Sequence, residues 1–108
     1  MPRPPRQLVD HGCYHLIARG NNRQFLFVED EAFRYFLSLL GQAKGRYPAK
    51  LYHYCLMSNH IHLLLEIVHG TELPKFMQFI LQGYGRWYQH RVNQVGHVWQ
   101  GRYKSPLV

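Results

Sequence analysis

His60-Ile61-His62-Leu63-Leu64-Leu65-Glu66-Ile67-Val68 is the stretch on which the architecture turns. In an extended chain, residues two apart project to the same side, so Ile61, Leu63 and Leu65 make one apolar face while His60 and His62 share the other. Helices have to cover the apolar face. The two imidazoles are then left together on the open face, as a two-ligand metal half-site on a rigid element. Just before this stretch, residues 51–57 are aromatic-rich strand material and Ser58-Asn59 supply turn chemistry, so the two segments read as a hairpin.

Nearer the N-terminus, Tyr14, Leu16 and Ala18 alternate with His15, Ile17 and Arg19, which predicts a strand over residues 13–19 ended by Gly20-Asn21-Asn22. Phe25 to Val28 is a short apolar patch, read as a bridge or small strand. Glu29, Asp30 and Glu31 place negative charge where a helix N-terminus favours it. Phe33, Phe36, Leu37 and Leu40 then recur at helical spacing, in a helix that should finish within residues 41–45, before Pro48. A second helix is expected from Thr71 as N-cap, with Pro74 in its first turn and Leu73, Met77, Ile80, Tyr84, Trp87 and Tyr88 on one stripe, ending near His90. Residues 93–96 break it, and residues 97–105 alternate again as a final strand.

Strand, helix, strand, strand, helix, strand is the order of a ferredoxin-like α+β fold, in which two helices cover one face of an antiparallel sheet. The other face is open for binding. At 108 residues the chain is expected to form one domain, residues 1–108. Its first eight residues, rich in Pro and Arg, should form a flexible basic arm.

Composition narrows the function classes. Hydrophobic residues at 46% and aromatics at 15% suffice for a core and argue against disorder. Thirteen Lys and Arg against 6 Asp and Glu give a formal charge of +7, which makes nucleic acid the first partner to consider. No apolar run reaches the roughly 18 residues that a membrane span requires, and the N-terminus has no secretory h-region. Cytoplasm is the default location. Cys13 and Cys55 lack metal-type spacing and read as reduced, buried thiols.

Two imidazoles alone satisfy neither Zn²⁺ nor Mg²⁺. His15 and His53 belong to other strands, and His11, His69, His90 and His97 lie near turns or element ends; these read as polar surface or capping residues. No four-ligand spacing supports a structural zinc.

The run Leu56-Met57-Ser58-Asn59-His60-Ile61-His62-Leu63-Leu64-Leu65 resembles the HUH segment of the single-tyrosine transposases, including the REP-associated tyrosine transposases and related insertion-sequence enzymes. Tyr14-His15-Leu16-Ile17-Ala18-Arg19-Gly20-Asn21-Asn22-Arg23, with Phe27 after it, resembles the opening strand and loop of that family. His97-Val98-Trp99-Gln100-Gly101-Arg102-Tyr103-Lys104-Ser105 resembles its closing strand. The likeness spans roughly residues 8–108.

This resemblance implies metal-dependent cleavage and strand transfer of single-stranded DNA in DNA transposition. A tyrosine attacks a phosphodiester and keeps the 5′ phosphate, and a divalent ion, Mg²⁺ or Mn²⁺, is held by His60 and His62. No nucleotide cofactor is implied. A Lewis acid at that position offsets charge on the nonbridging oxygens and the departing 3′ oxygen. The family's nucleophile lies on a helix after the closing strand, followed four residues later by Asn, Gln or His. The sequence stops at Val108, before such a helix, so the expectation is a C-terminally truncated member with no assigned catalytic tyrosine. Tyr84 and Tyr88 fall on the core stripe, and Tyr103 fits packing or stacking better than attack.

Expected DNA contacts are Arg19 and Arg23 flanking the first turn, together with Arg102 and Lys104; Arg86 and Arg91 are further phosphate candidates, and Trp99 and Tyr103 could stack on unpaired bases. Partners are therefore single-stranded or hairpin DNA, with a homodimer left open because relatives dimerise. The competing reading is a binding-only module that takes single-stranded nucleic acid on its sheet without a metal.

Overall fold

The computed structural model describes residues 8–21 and 25–108. Arg23 and most of the expected basic arm lie outside the described residues. The elements are β1 (Gly12–Arg19), α1 (Asp30–Arg46), β2 (Ala49–Leu56), β3 (His60–Ile67) and α2 (Leu73–Val92). The three strands form an antiparallel sheet in the order β1-β3-β2.

The expected final strand is the main departure. Residues after α2 run antiparallel to β1 but pair with it only at isolated bridges, Gly20 with Trp99, Ile17 with Lys104 and Tyr14 with Leu107. Backbone bonds from Ile17 N–H to Lys104 C=O and back, at 3.0 and 2.9 Å, hold the middle of this seam. Two residue types account for the interruption: Gly101 sits at φ +61, and Pro106 has no N–H to donate. The spatial order of a ferredoxin-like sheet is kept, with a broken edge in place of its fourth strand.

One face of the sheet carries the core. Tyr14, Leu16 and Ala18 of β1 and Ile61, Leu63, Leu65 and Ile67 of β3 are all buried, as the alternation predicts. Against them pack Ala32, Phe36, Leu39, Leu40 and Ala43 of α1, and Leu73, Phe76, Met77, Ile80, Tyr84 and Tyr88 of α2. The buried stripe of α1 is thus rotated slightly from the expected one, leaving Phe33 and Leu37 at its margin. Each fully buried Leu or Phe contributes about 1.5–3 kcal/mol.

The helices begin and end for local reasons. Asp30 and Glu31 occupy the first turn of α1, and Lys44 and Arg46 its last, both favourable to the helix dipole. Pro48 disfavours helical geometry at the preceding residue, so α1 stops at Arg46. α2 is entered through a 3₁₀ turn, Gly70–Glu72, and Thr71 makes no side-chain cap. Asn93, in left-handed geometry at φ 54, closes α2. Phe25 to Val28 forms no strand; the N–H groups of Leu26 and Phe27 both bond to the Ser58 carbonyl, and the two side chains enter the core.

A β-bulge between Leu51 and His53 sets the register of β2. Leu51 and Leu56 are an odd number of residues apart, so a regular strand would send them to opposite faces. The extra residue brings both to the helix side, opposite Leu65 and Ile61. It also moves Cys55 opposite His62 and Tyr54 opposite Leu63.

Candidate metal and nucleic-acid site

Opposed residues in an antiparallel sheet share a face, so the pairing registers map the open side row by row. One row reads Lys104, Ile17, His62, Cys55; the next has Arg19 opposite His60. Both imidazoles therefore point away from the helices, and two of the expected DNA-contacting cations share their face, Arg19 on β1 opposite His60 and Lys104 on the terminal segment beyond Ile17. Cys55 is exposed on this face, which corrects the expectation of a buried thiol.

The histidine rings are ordered by their neighbours. His60 and His62 have ring centroids 5.0 Å apart, nearly perpendicular at 77°. His60 Nδ1 lies 2.8 Å from Asn59 Oδ1. His62 Nδ1 lies 3.0 Å from Nε2 of His15, one strand over. The sequence pattern did not place His15 here. Its ring centroid is 5.2 Å from that of His62, close to the nitrogen separation plus two ring radii, so the rings meet edge to edge and share an in-plane hydrogen bond.

Burial first, and then the like-charged His60, His15 and Arg19, hold the His62 imidazole below its usual pKa. Its neutral form, the one with a lone pair for a cation, is thereby favoured. Among the described residues no group of three or more His, Cys, Asp and Glu side chains is arranged to hold a metal ion. The donor set of His60 and His62 fits a divalent ion as two ligands of a larger shell, with Nε2 the ring nitrogen left to each.

Beside His60 opens a cleft of about 400 Å³ lined by Arg19, Gly20, Phe25, Asn59, His60 and Gln100. Phe25 is 64% exposed at its mouth, an aromatic ring with an uncovered face. Neither Phe25 nor Asn59 stood out in sequence; only the return of residues 25–27 across the β2–β3 turn brings Phe25 here.

Other candidates are placed differently. Arg102 is exposed in the irregular stretch between two bridges, and Arg86 is exposed on α2. Arg91 is engaged within the protein: it pairs with Glu29, with Glu31 at 2.9 Å, and lies over the Trp87 ring. Trp99 is half-buried, its indole N–H donating to the Leu81 carbonyl at 2.8 Å, so it anchors the terminal segment to α2. Tyr84 is fully buried; its hydroxyl donates to the Leu26 carbonyl, and burial raises its pKa well above the phenol value.

Residues 9–108 match the family described as Transposase IS200 like, and the chain belongs to it. No curated protein matches the sequence. Among solved structures, a REP-associated tyrosine transposase bound to a REP hairpin superposes with a TM-score of 0.80 at 14% identity, over 100% of this chain and 62% of that one. A candidate transposase from Deinococcus radiodurans R1 superposes with a TM-score of 0.72 at 21% identity, over 99% of this chain and 86% of that one. At these identities the superpositions establish the shared fold. The chain spans less than two thirds of the REP-associated protein's length. Among the described residues no helix is long and apolar enough to cross a membrane.

Proposed function

We propose that the open face binds a single-stranded or hairpin DNA end and holds a divalent ion, Mg²⁺ or Mn²⁺, through His60 and His62, as the metal-binding part of a DNA strand-transfer site. The observation that carries this reading is the convergence of two imidazoles, each with Nδ1 engaged, and two cations, Arg19 and Lys104, on one side of the sheet. When bound, the ion would act as a Lewis acid toward a phosphate oxygen. Arg19 and Lys104 meet the phosphates on either side, and Arg102, exposed in the terminal segment, is a further phosphate contact in this reading. Phe25 offers a stacking surface for an unpaired base at the mouth of the cleft.

The attacking tyrosine is not assigned. Tyr84 and Tyr88 are packed in the core, and Tyr54 lies opposite Leu63 on the helix side. Tyr52 is on the open face but bonds Glu66 at 2.6 Å. Glu66 is four residues along β3 from His62, roughly 13 Å at the usual strand rise. The reading assigns binding of DNA and metal to this face and leaves the attacking tyrosine open.

Mn²⁺ binding, followed by the loss of the free-ion EPR signal, tests the reading in the chain and in its His60→Ala/His62→Ala variant. Expected is saturable binding in the parent, its loss in the variant, and unchanged circular dichroism. A parent that leaves the Mn²⁺ signal untouched yet shifts a fluorescent single-stranded oligonucleotide selects the binding-only module.

A further inference from the structure

We infer that His15 and Asn59 are positioning residues that fix the tautomers of the two metal-binding histidines, so that both present an unprotonated Nε2 to the open face. The inference rests on the metal reading above for its purpose, but on hydrogen-bond geometry for its content.

A neutral imidazole carries its proton on one nitrogen and its lone pair on the other, and only the lone pair can ligate a cation. Which nitrogen is which is set by what the far side of the ring touches. For His60 that contact is Asn59 Oδ1 at 2.8 Å, a carbonyl oxygen that accepts and cannot donate. The proton of His60 is thereby drawn to Nδ1. Its lone pair is left on Nε2.

For His62 the partner is another histidine, and the bond has two directions. If His15 carries its proton on Nδ1, its Nε2 accepts from His62 Nδ1–H at 3.0 Å, and His62 keeps Nε2 free. In the reverse direction His62 would hold its proton on Nε2 and be closed to a cation. The first arrangement gives both ligand histidines the same tautomer, and it makes His15 the acceptor at the end of a His15–His62 relay. The pairing of Ile17 with His62 puts His15 within diagonal reach of that ring on the same face, and the in-plane approach of the rings is that of a hydrogen bond, not of stacked faces. Ile17, directly opposite His62, supplies no competing polar side chain.

Long-range ¹H–¹⁵N correlation of the metal-free protein reads each ring's tautomer directly. His60 and His62 should both show the Nδ1–H form at a pH where they are neutral. In His15→Phe, which keeps a ring but removes the acceptor, His62 should turn toward the Nε2–H form, and Mn²⁺ affinity should fall about 10- to 100-fold, the usual effect of removing an outer-shell partner. His15→Gln, whose side-chain carbonyl can accept from His62, should restore most of both. Circular dichroism and thermal midpoint guard against a folding defect, which the Gln variant would not repair selectively.

An Nε2–H tautomer for His62 in the parent overturns the inference, as does an unchanged His62 tautomer in His15→Phe. Failure of the parent to bind Mn²⁺ is a separate result. It removes the metal reading while leaving the tautomer measurement to decide whether His15 and Asn59 act as stated.

Discussion

The two faces of β3 are built from alternate residues of one eight-residue strand and obey different rules. On the helix side, Ile61, Leu63, Leu65 and Ile67 are interchangeable in kind: each fills volume, and apolarity of the right size is what the position needs. On the open side, His60 and His62 are individually wired, one to Asn59 and the other to His15. Stability and chemistry are separable here, because a strand assigns them to opposite parities of the same sequence.

The severest test of that separation is Leu63→Ala. It should destabilise the chain by about 2–5 kcal/mol through reduced burial and a residual cavity, seen as a lower urea midpoint, while the folded protein keeps its Mn²⁺ affinity. Equal damage to affinity would show that the two faces are coupled.

Tyr84→Phe comes next. Removing the hydroxyl strands the buried Leu26 carbonyl, which should cost about 1–3 kcal/mol. DNA binding should be unaffected, and any adduct chemistry assigned to Tyr84 would be contradicted if it survived the change.

On the open side, Arg19→Ala and Lys104→Ala should each leave thermal stability nearly unchanged. Each should weaken binding of a single-stranded oligonucleotide and flatten its dependence on log salt by about 0.7 for every phosphate no longer neutralised. Fluorescence anisotropy across a salt series measures this slope, and a slope identical to the parent's would remove that residue from the interface.

A subtler effect concerns Glu66. Its hydrogen bond from Tyr52 is the main cause of a carboxyl pKa below the usual value. A depressed folded-state pKa adds stability above the unfolded value, and that contribution disappears as pH falls through the folded one. In Tyr52→Phe the Glu66 midpoint, followed by carbon NMR, should move up toward the ordinary glutamate value. The acid limb of the stability curve should become slightly shallower.

Much of this arrangement could be read in the letters. The HxH pair, with Ile61 between its histidines and leucines after them, announces a strand with a buried face, and the acidic start of α1 and the stripe of α2 locate both helices. The parity rule works within a single element, and therefore says nothing about which residue of a neighbouring strand arrives alongside. For that reason His15 reads as an ordinary strand histidine until the register pairs Ile17 with His62. The bulge at Tyr52 did leave a trace, the odd spacing of Leu51 and Leu56, but a one-residue slip is invisible to a pattern that tolerates either phase. The terminal segment misleads in the opposite sense: its alternation suggests a full strand, while Gly101 and Pro106 interrupt the ladder.

The neighbours of β1 also have a temporal meaning. One flank is residues 60–67 and the other is residues 99–107, so the earliest of the three described strands waits for the end of the described chain to be enclosed. During synthesis the ribosome must release nearly all of the described chain before His15 and Ile17 N–H find their acceptors at Pro106 and Lys104. Until then the nascent strand presents an unzipped edge, a row of free N–H and C=O groups on which another chain's strand could pair.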